Sequence, residues 1–155
     1  MTALLSRVGR VFSKLTELQW AWLFVARVAV GCEFFLSGWG KLHRLDKLVG
    51  YFRELGIPAA SIQAPFIATL EFVGGFLLML GFGTRIFGFF LGCTMLVAIL
   101  TAINFTGKGL ADFLYLAEWL LLLLLFGFVF TGGGKLSIDA ILAGRAKAKG
   151  AGTRE

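Results

Sequence analysis

The sequence predicts an all-α membrane protein: a four-transmembrane-helix up-down bundle with an N-terminal amphipathic helix and an outer interfacial helix. Of its 155 residues, 58% are hydrophobic and only 15% are charged, whereas soluble domains are about 25% charged. The apolar residues form runs close to the roughly 20 residues needed to cross a hydrocarbon core. Because the runs are continuous, they indicate helices and not the alternating strands of a barrel. The predicted spans are residues 20–40, 64–82, 86–105 and 113–131.

Residues 1–19 are predicted to form an amphipathic helix on the membrane surface. Apolar side chains recur there at helical spacing, and basic side chains occupy the other face. The apolar positions are Leu4, Leu5, Val8, Val11, Phe12 and Leu15, and the basic ones are Arg7, Arg10 and Lys14. No small-residue cleavage pattern precedes the first span, so we do not expect a removed signal peptide.

The connection between the first two spans, residues 41–63, is the longest loop. Between Arg44 and Leu55 its apolar and charged residues follow helical spacing, and Gly56 and Pro58 come next as stop signals. We therefore expect an interfacial helix across the outer mouth of the bundle. It would serve either as a clip on the membrane surface or as a lid over a ligand site.

The remaining connections, residues 83–85 and 106–112, are short and predict tight antiparallel neighbours. Glycines on the first three spans, such as Gly31 and Gly75, are typical of close helix packing in lipid. After three glycines at 132–134, Ser137 or Asp139 is expected to cap a short surface segment. The transmembrane domain is thus expected over residues 20–142, followed by a disordered basic tail at 143–155.

The distribution of lysine and arginine predicts the orientation. With both termini on one side, that side carries nine of the 15 basic residues, the opposite side carries five, and Arg27 lies inside a span. The positive-inside rule then places both termini in the cytoplasm. The net charge of +6 is expected to reflect contact with anionic headgroups, and no nucleic-acid-binding motif accompanies it.

Charged residues in the predicted spans mark a candidate polar interior. Each costs about 2.5–3.5 kcal/mol at the centre of a membrane helix, so such residues usually face the bundle interior and find partners. The candidate binding residues are Arg27, Glu33, Lys41, Glu71 and Glu118. We assign no catalytic and no metal-ligating residue from the sequence.

Helical rise places Glu33, Glu71 and Glu118 in one layer, about 8–11 Å below the outer boundary. Glu71 and Arg27 are predicted to form the central pair, with Glu118 contributing, although Arg27 lies about 9 Å deeper. Glu33 is about 120° round the helix from Arg27 and is free to point elsewhere, whereas Lys41 shares the face of Arg27. Close carboxylates do not all stay ionised in a low dielectric, so one is expected to be protonated or paired with Arg27 or Lys41.

Three interpretations of this layer stay open: a structural salt-bridge network, a site for a quinone or another small ligand, and a divalent-cation site. The metal interpretation is the weakest, since the glutamates lack a helical Glu-x-x-His pair. His43 is the only histidine, which excludes haem ligation by two histidines of one chain. Cys32 and Cys93 belong to no C-x-x-C motif and are expected to be apolar packing residues.

Four motifs, in this order, carry a family resemblance. They are RVAVGCEFFLSGWGKL at 27–42, FRELGIP at 52–58, LEFVGGFLLMLGFGTR at 70–85 and TGGGKLSID at 131–139. Together they resemble the DoxX family of small bacterial four-helix membrane proteins. The resemblance implies recurring polar positions at Arg27, Lys41, Glu71 and Arg85. It also implies links to thiosulfate:quinone oxidoreductase, to terminal oxidases, or to assemblies that handle thiol or oxidant stress.

From the residues and this resemblance we expect an accessory or structural subunit of a bacterial membrane redox assembly, with no catalytic activity of its own. A stand-alone quinone-linked oxidoreductase and a small-molecule transporter are the alternatives. The expected ligands are a quinone or a lipid, with no haem or metal signature. The expected partners are membrane lipids and other membrane protein subunits, and a homo-oligomer is also compatible with the sequence. The expected location is the bacterial cytoplasmic (inner) membrane.

Overall fold

The structure is a computed structural model that describes residues 19–102 and 117–151. Within these ranges every regular element is an α-helix, which confirms the all-α prediction there. The helices are α1 (Gln19–Leu42), α2 (Leu45–Glu54), α3 (Ala60–Leu80), α4 (Thr84–Ala102), α5 (Ala117–Thr131) and α6 (Ile138–Ala151). The predicted amphipathic helix, apart from its last residue, lies outside the described residues.

Three helices, α1, α3 and α4, are long and apolar enough to cross a membrane. Helix α5 is apolar but has 15 residues, because the earlier part of the predicted fourth span lies outside the described ranges. The structure therefore supports three span-length helices and one shorter apolar helix, and the fourth span stays a prediction.

Glycine contacts show how the helices pair. A Cβ at Gly31 would lie 2.8 Å from the carbonyl oxygen of Gly75, whereas Gly38, later in α1, packs against Ala68, earlier in α3. Later residues of α1 contact earlier residues of α3, so the two helices are antiparallel. Their backbones touch at these glycines. A Cβ at Gly75 would lie 2.5 Å from the backbone nitrogen of Phe35, so glycine is required at this crossing.

The main core lies between α1, α3, α4 and α5. It contains Phe34, Leu78, Leu91 and Leu125, which are almost completely buried. Gly88 of α4 packs against Leu125 and Phe128 of α5, as the small-residue pattern indicates. The lipid-facing surface keeps large apolar residues exposed, which is expected where lipid is the solvent.

The predicted interfacial helix is present as α2, between α1 and α3. Phe52 of α2 is buried against Ala60 and Ala64 of α3, while Asp46 and Lys47 are exposed. Helix α2 is therefore clamped to the bundle by its apolar face. Its depth in a membrane stays a prediction.

Two boundaries differ from the prediction. Helix α3 begins at Ala60 and so carries Pro65 inside it, because Ala59 accepts backbone hydrogen bonds from Ile62 and Gln63 and starts the helix one turn early. The tail predicted to be disordered from residue 143 is helical through Ala151 as part of α6. The physical reason is composition, since alanine, lysine and arginine are strong helix formers even when they are exposed.

Candidate functional site

Two charged side chains meet where the last turns of α1 pack on the middle of α3. The Lys41 Nζ lies 2.5 Å from both carboxylate oxygens of Glu71. The Glu71 side chain is 2% exposed and that of Lys41 is 33% exposed. The carboxylate is thus enclosed by protein, and the ammonium links it to the surface. An unpaired buried charge is strongly destabilising, so Lys41 is what allows Glu71 to occupy this position.

Ser37 completes the cluster, and the sequence analysis missed it. Its hydroxyl donates to Glu71 Oε2 at 3.0 Å. Ser37 precedes Lys41 by four residues, so the two lie on one face of α1. Gly38 lets this face approach α3, since a Cβ there would lie 2.9 Å from the carbonyl oxygen of Ala68. The four-residue spacing of Ser37 and Lys41 was the available signal in the sequence.

The Glu71–Lys41 pair lies at one end of a cavity of ≈ 140 Å³ between α2, α3 and α4. Most of the other lining side chains are apolar. They are Leu48, Tyr51, Phe52, Leu55, Ile57, Gln63, Ile67, Thr94, Met95, Val97, Ala98 and Thr101. The cavity is therefore an apolar chamber with its charge concentrated at one point.

The two threonines add hydrogen-bond acceptors to the cavity wall. The Thr94 hydroxyl donates to the carbonyl oxygen of Leu91 at 2.8 Å, and the Thr101 hydroxyl donates to that of Val97 at 2.7 Å. With their hydrogens engaged, both oxygens present lone pairs. The cavity can therefore accept hydrogen bonds at the threonines and can both donate and accept at the ion pair.

Helix α2 forms the roof of this cavity. Phe52 and Ile57 line the cavity and also pack in the small core that joins α2 to α3. Since Phe52 is buried, moving α2 would expose both the aromatic ring and the cavity. The structure places α2 over the cavity, and both interpretations of this helix, the surface clip and the lid, stay predictions.

The structure brings together two of the five predicted site residues. Glu71 and Lys41 are paired, whereas Glu33 is exposed because it lies about 100° round α1 from the buried Phe34. Glu118 is half-buried in the first described turn of α5 and is not among the described residues that line the cavity.

The predicted pairing of Glu71 with Arg27 is wrong. Arg27 is 1% exposed, but it lies about 21 Å from Lys41 along α1 by helical rise, toward the opposite end of the bundle. There its guanidinium donates to the carbonyl oxygen of Gly133 and, at 2.6 Å, to that of Leu136. Arg27 therefore anchors the α5–α6 connection, and its charge is stabilised by backbone dipoles.

Asp139 completes this second polar cluster, away from the cavity. Its carboxylate accepts hydrogen bonds from the backbone N–H groups of Gly83 at 2.8 Å and Thr84 at 2.9 Å, so it caps the start of α4. Ser137 caps α6 itself, by accepting from the N–H of Ala140 at 3.1 Å. The expected cap of α6 is confirmed for Ser137, and Asp139 caps a different helix.

The other candidate ligand residues, His43, Cys32 and Cys93, do not line the cavity. Among residues 19–102 and 117–151, no three or more His, Cys, Asp or Glu side chains converge in a way that suits a metal ion. His43 is exposed and contacts the carbonyl oxygen of Trp39 at 2.9 Å. Cys32 and Cys93 are half-buried free thiols, and Cys32 Sγ lies 3.8 Å from the sulfur of Met79, as expected for a packing residue.

Comparison with known proteins agrees with this architecture. The DoxX family model matches residues 22–104. The chain is 33% identical over 114 residues to "Putative oxidoreductase CatD" of Bacillus subtilis, covering 73% of this chain and 81% of the relative. It is 31% identical over 132 residues to "Inner membrane protein YqjF" of Escherichia coli, covering 83% and 97%. No solved structure matches the chain at a significant level. The cavity, its roof helix and the Lys41–Glu71 pair all lie within the matched residues, and the chain belongs to the DoxX family.

Proposed function

We propose that this chain is the membrane component of a bacterial redox assembly, and that the cavity under α2 binds the ring of a quinone-type molecule. One observation carries the proposal: the ion pair of the buried Glu71 with Lys41 lines a largely apolar chamber. A pair that served packing alone would need no chamber beside it. The name of the Bacillus relative, putative oxidoreductase, points in the same direction.

The size and lining of the cavity suit a single ring. Its ≈ 140 Å³ is close to the roughly 150 Å³ of an apolar cavity that holds benzene. Val97 lines the cavity and is also 44% exposed on α4. Val97 thus belongs both to the cavity wall and to the lipid-facing surface, and we place the exit of an isoprenoid tail beside it.

The ion pair supplies the chemistry that such a ring needs. Lys41 donates a hydrogen bond to a quinone carbonyl, and Glu71 exchanges a proton with it. Reduction of a quinone to a quinol takes up two electrons and two protons. We assign the protons to the route through Glu71 and the partly exposed Lys41, and the electrons to a redox-active subunit of the same assembly.

A binding measurement tests the ligand. Purified protein is titrated with a short-tail ubiquinone analogue in detergent, and binding is followed by calorimetry. Glu71→Gln removes the charged end and Ala98→Phe fills the cavity, so each should weaken binding at least tenfold. Glu33→Gln and Leu100→Phe are matched controls at exposed positions of α1 and α4 and should bind normally. Absence of binding by the unmodified protein would refute the quinone assignment.

A purification experiment tests the assembly. The tagged chain is extracted from its native membrane in a gentle detergent, and its partners are identified by mass spectrometry. A stoichiometric partner that carries a redox cofactor is the expected result. The name of the Bacillus relative favours a stand-alone oxidoreductase as a second candidate function, and quinone-linked turnover by the isolated chain would establish that function instead.

We further propose four spans in the cytoplasmic membrane, with α2 on the outer side and both termini inside. The supporting observations are the three span-length helices, the apolar α5 and the Escherichia coli relative named an inner membrane protein. In this orientation the cavity roof faces the periplasmic side. The proton route through Lys41 would then open to the same side.

A further inference from the structure

A second concavity adjoins the assigned cavity and shares Lys41, Leu48 and Tyr51 with it. It is a groove of ≈ 480 Å³ between the end of α1 and α2. We define the basic groove by its cations Lys41, Arg44 and Lys47, its aromatic wall Tyr51, and its lower end at Leu36 and Gly40.

The charges of the basic groove have one sign. No described residue that lines it is acidic, although Asp46 lies between Arg44 and Lys47 in the sequence. Arg44 and Lys47 are exposed, while Lys41 is held by Glu71. The groove therefore presents an arginine fork and a lysine, the donors that suit a phosphate group, with a third cation behind them.

The groove is also graded from polar to apolar. Leu36 lines its lower end and is 64% exposed, on a helix long and apolar enough to cross a membrane. Leu36 lies one turn, about 6 Å, below Gly40 on α1. A ligand that fills the groove meets cations at the helix end and a lipid-facing leucine below. A phospholipid has this order of phosphate and acyl chain.

We propose that the basic groove binds the headgroup of an anionic phospholipid, with its phosphate at Arg44 and Lys47 and its acyl chains along Leu36. Lys41, Leu48 and Tyr51 line both concavities, but the inference does not depend on the quinone assignment, because Arg44, Lys47 and Leu36 do not line the cavity. Bound lipid would hold α2 against the end of α1. Anionic lipid would then stabilise the roof of the quinone site.

A substitution at Gly40 can block the groove. A Cβ at Gly40 meets no atom within 4 Å, and Gly40 lines the groove, so Gly40→Leu adds side-chain volume there without a backbone clash at Cβ. Gly50 is likewise helical and open, but it does not line the groove. Gly50→Leu is therefore the matched control. For charge, Arg44→Gln with Lys47→Gln is compared with Arg53→Gln, an exposed cation of α2 outside the groove.

The test uses the full chain in mixed micelles of detergent with phosphatidylglycerol or phosphatidylcholine, and counts retained lipids by native mass spectrometry. We expect retention of phosphatidylglycerol over phosphatidylcholine. Removing both cations should weaken retention about 25-fold, at about fivefold for each basic residue at an anionic surface. Gly40→Leu should abolish the preference, and Gly50→Leu and Arg53→Gln should keep it.

Three outcomes would overturn the assignment. Equal retention of the two lipids would remove the basis for an anionic site. Loss of the preference in Arg53→Gln as large as in the double variant would assign the effect to general charge. Displacement of phosphatidylglycerol by millimolar inorganic phosphate, with matching phosphate binding, would make the ligand a soluble anion and not a lipid.

Discussion

Lys41 and Glu71 are thirty positions apart in the chain, and the Nζ of the lysine lies 2.5 Å from each carboxylate oxygen of the glutamate. The two partners are not equivalent, because Glu71 is enclosed and Lys41 is partly exposed. Removing the lysine leaves a carboxylate with protein on all sides. Removing the glutamate leaves a long, flexible cation that extends to the surface.

This asymmetry predicts which of two substitutions lowers the free energy of unfolding more. Lys41→Met should lower the free energy of unfolding by about 3–5 kcal/mol, the cost of leaving a buried charge unpaired, and Glu71→Gln should cost less. The double variant should lose less than the sum of the two. Thermal unfolding in detergent measures all three, with Glu33→Gln as a neutral control. Strictly additive losses would show that the two side chains are not energetically coupled.

The crossing of α1 and α3 predicts a second pair of results. At Gly75 an added side chain meets the backbone of Phe35, so Gly75→Leu must push the helices apart. Overpacking of this kind costs about 1–3 kcal/mol, and more where backbone is the obstacle. Gly127 of α5 has nothing within 4 Å of a Cβ, so Gly127→Leu should be tolerated. A comparable drop in melting temperature for both variants would contradict the close crossing.

Much of this fold is predictable from the sequence because its signals are local. The long apolar runs of α1, α3 and α4 and the stop signal at Gly56 depend only on neighbouring residues. The amphipathic pattern of α2 is also local, and the structure places that helix over Leu45–Glu54. The helical tail of α6 is not predicted, because low complexity usually indicates disorder although these residue types favour a helix.

The partner of Glu71 was not predictable in the same way, because it depends on the register between two helices. Counting depth from Ala64 places Glu71 level with Glu33 on α1, about 9 Å from Arg27 along the membrane normal. The contact of Gly38 with Ala68 instead sets Glu71 level with Ser37 and Lys41. A shift of one turn is about 5.4 Å, enough to change the partner of a buried charge.

The proposed orientation predicts which positions react from outside the cell. In a background with Cys32 and Cys93 replaced by alanine, Lys47→Cys and Ala146→Cys place one thiol at exposed sites of α2 and α6. A membrane-impermeant maleimide should label Lys47→Cys in intact cells, and Ala146→Cys only after permeabilisation. The reverse pattern would invert the topology while leaving the fold unchanged.

Asp139 predicts a link between the α5–α6 connection and the start of α4. Its carboxylate accepts from the N–H groups of Gly83 and Thr84, and its own N–H donates to the carbonyl oxygen of Gly81 at 3.0 Å. Asp139→Ala removes both side-chain contacts and should cost about 0.5–2 kcal/mol, the range for a lost helix cap. Asp139→Asn keeps one oxygen acceptor and should recover part of the loss.

Hydrogen exchange separates this cap from a general loss of stability. In Asp139→Ala the amides of Gly83 and Thr84 should exchange faster, because they lose their acceptor, while amides in the middle of α4 should change only with global stability. Lys135→Ala, at an exposed position of the same connection, is the matched control. If Asp139→Ala and Lys135→Ala leave the exchange of Gly83 and Thr84 equally unchanged, the cap does not hold α4. If both amides lose protection in Asp139→Ala alone, a single carboxylate joins the C-terminal helix to the start of α4.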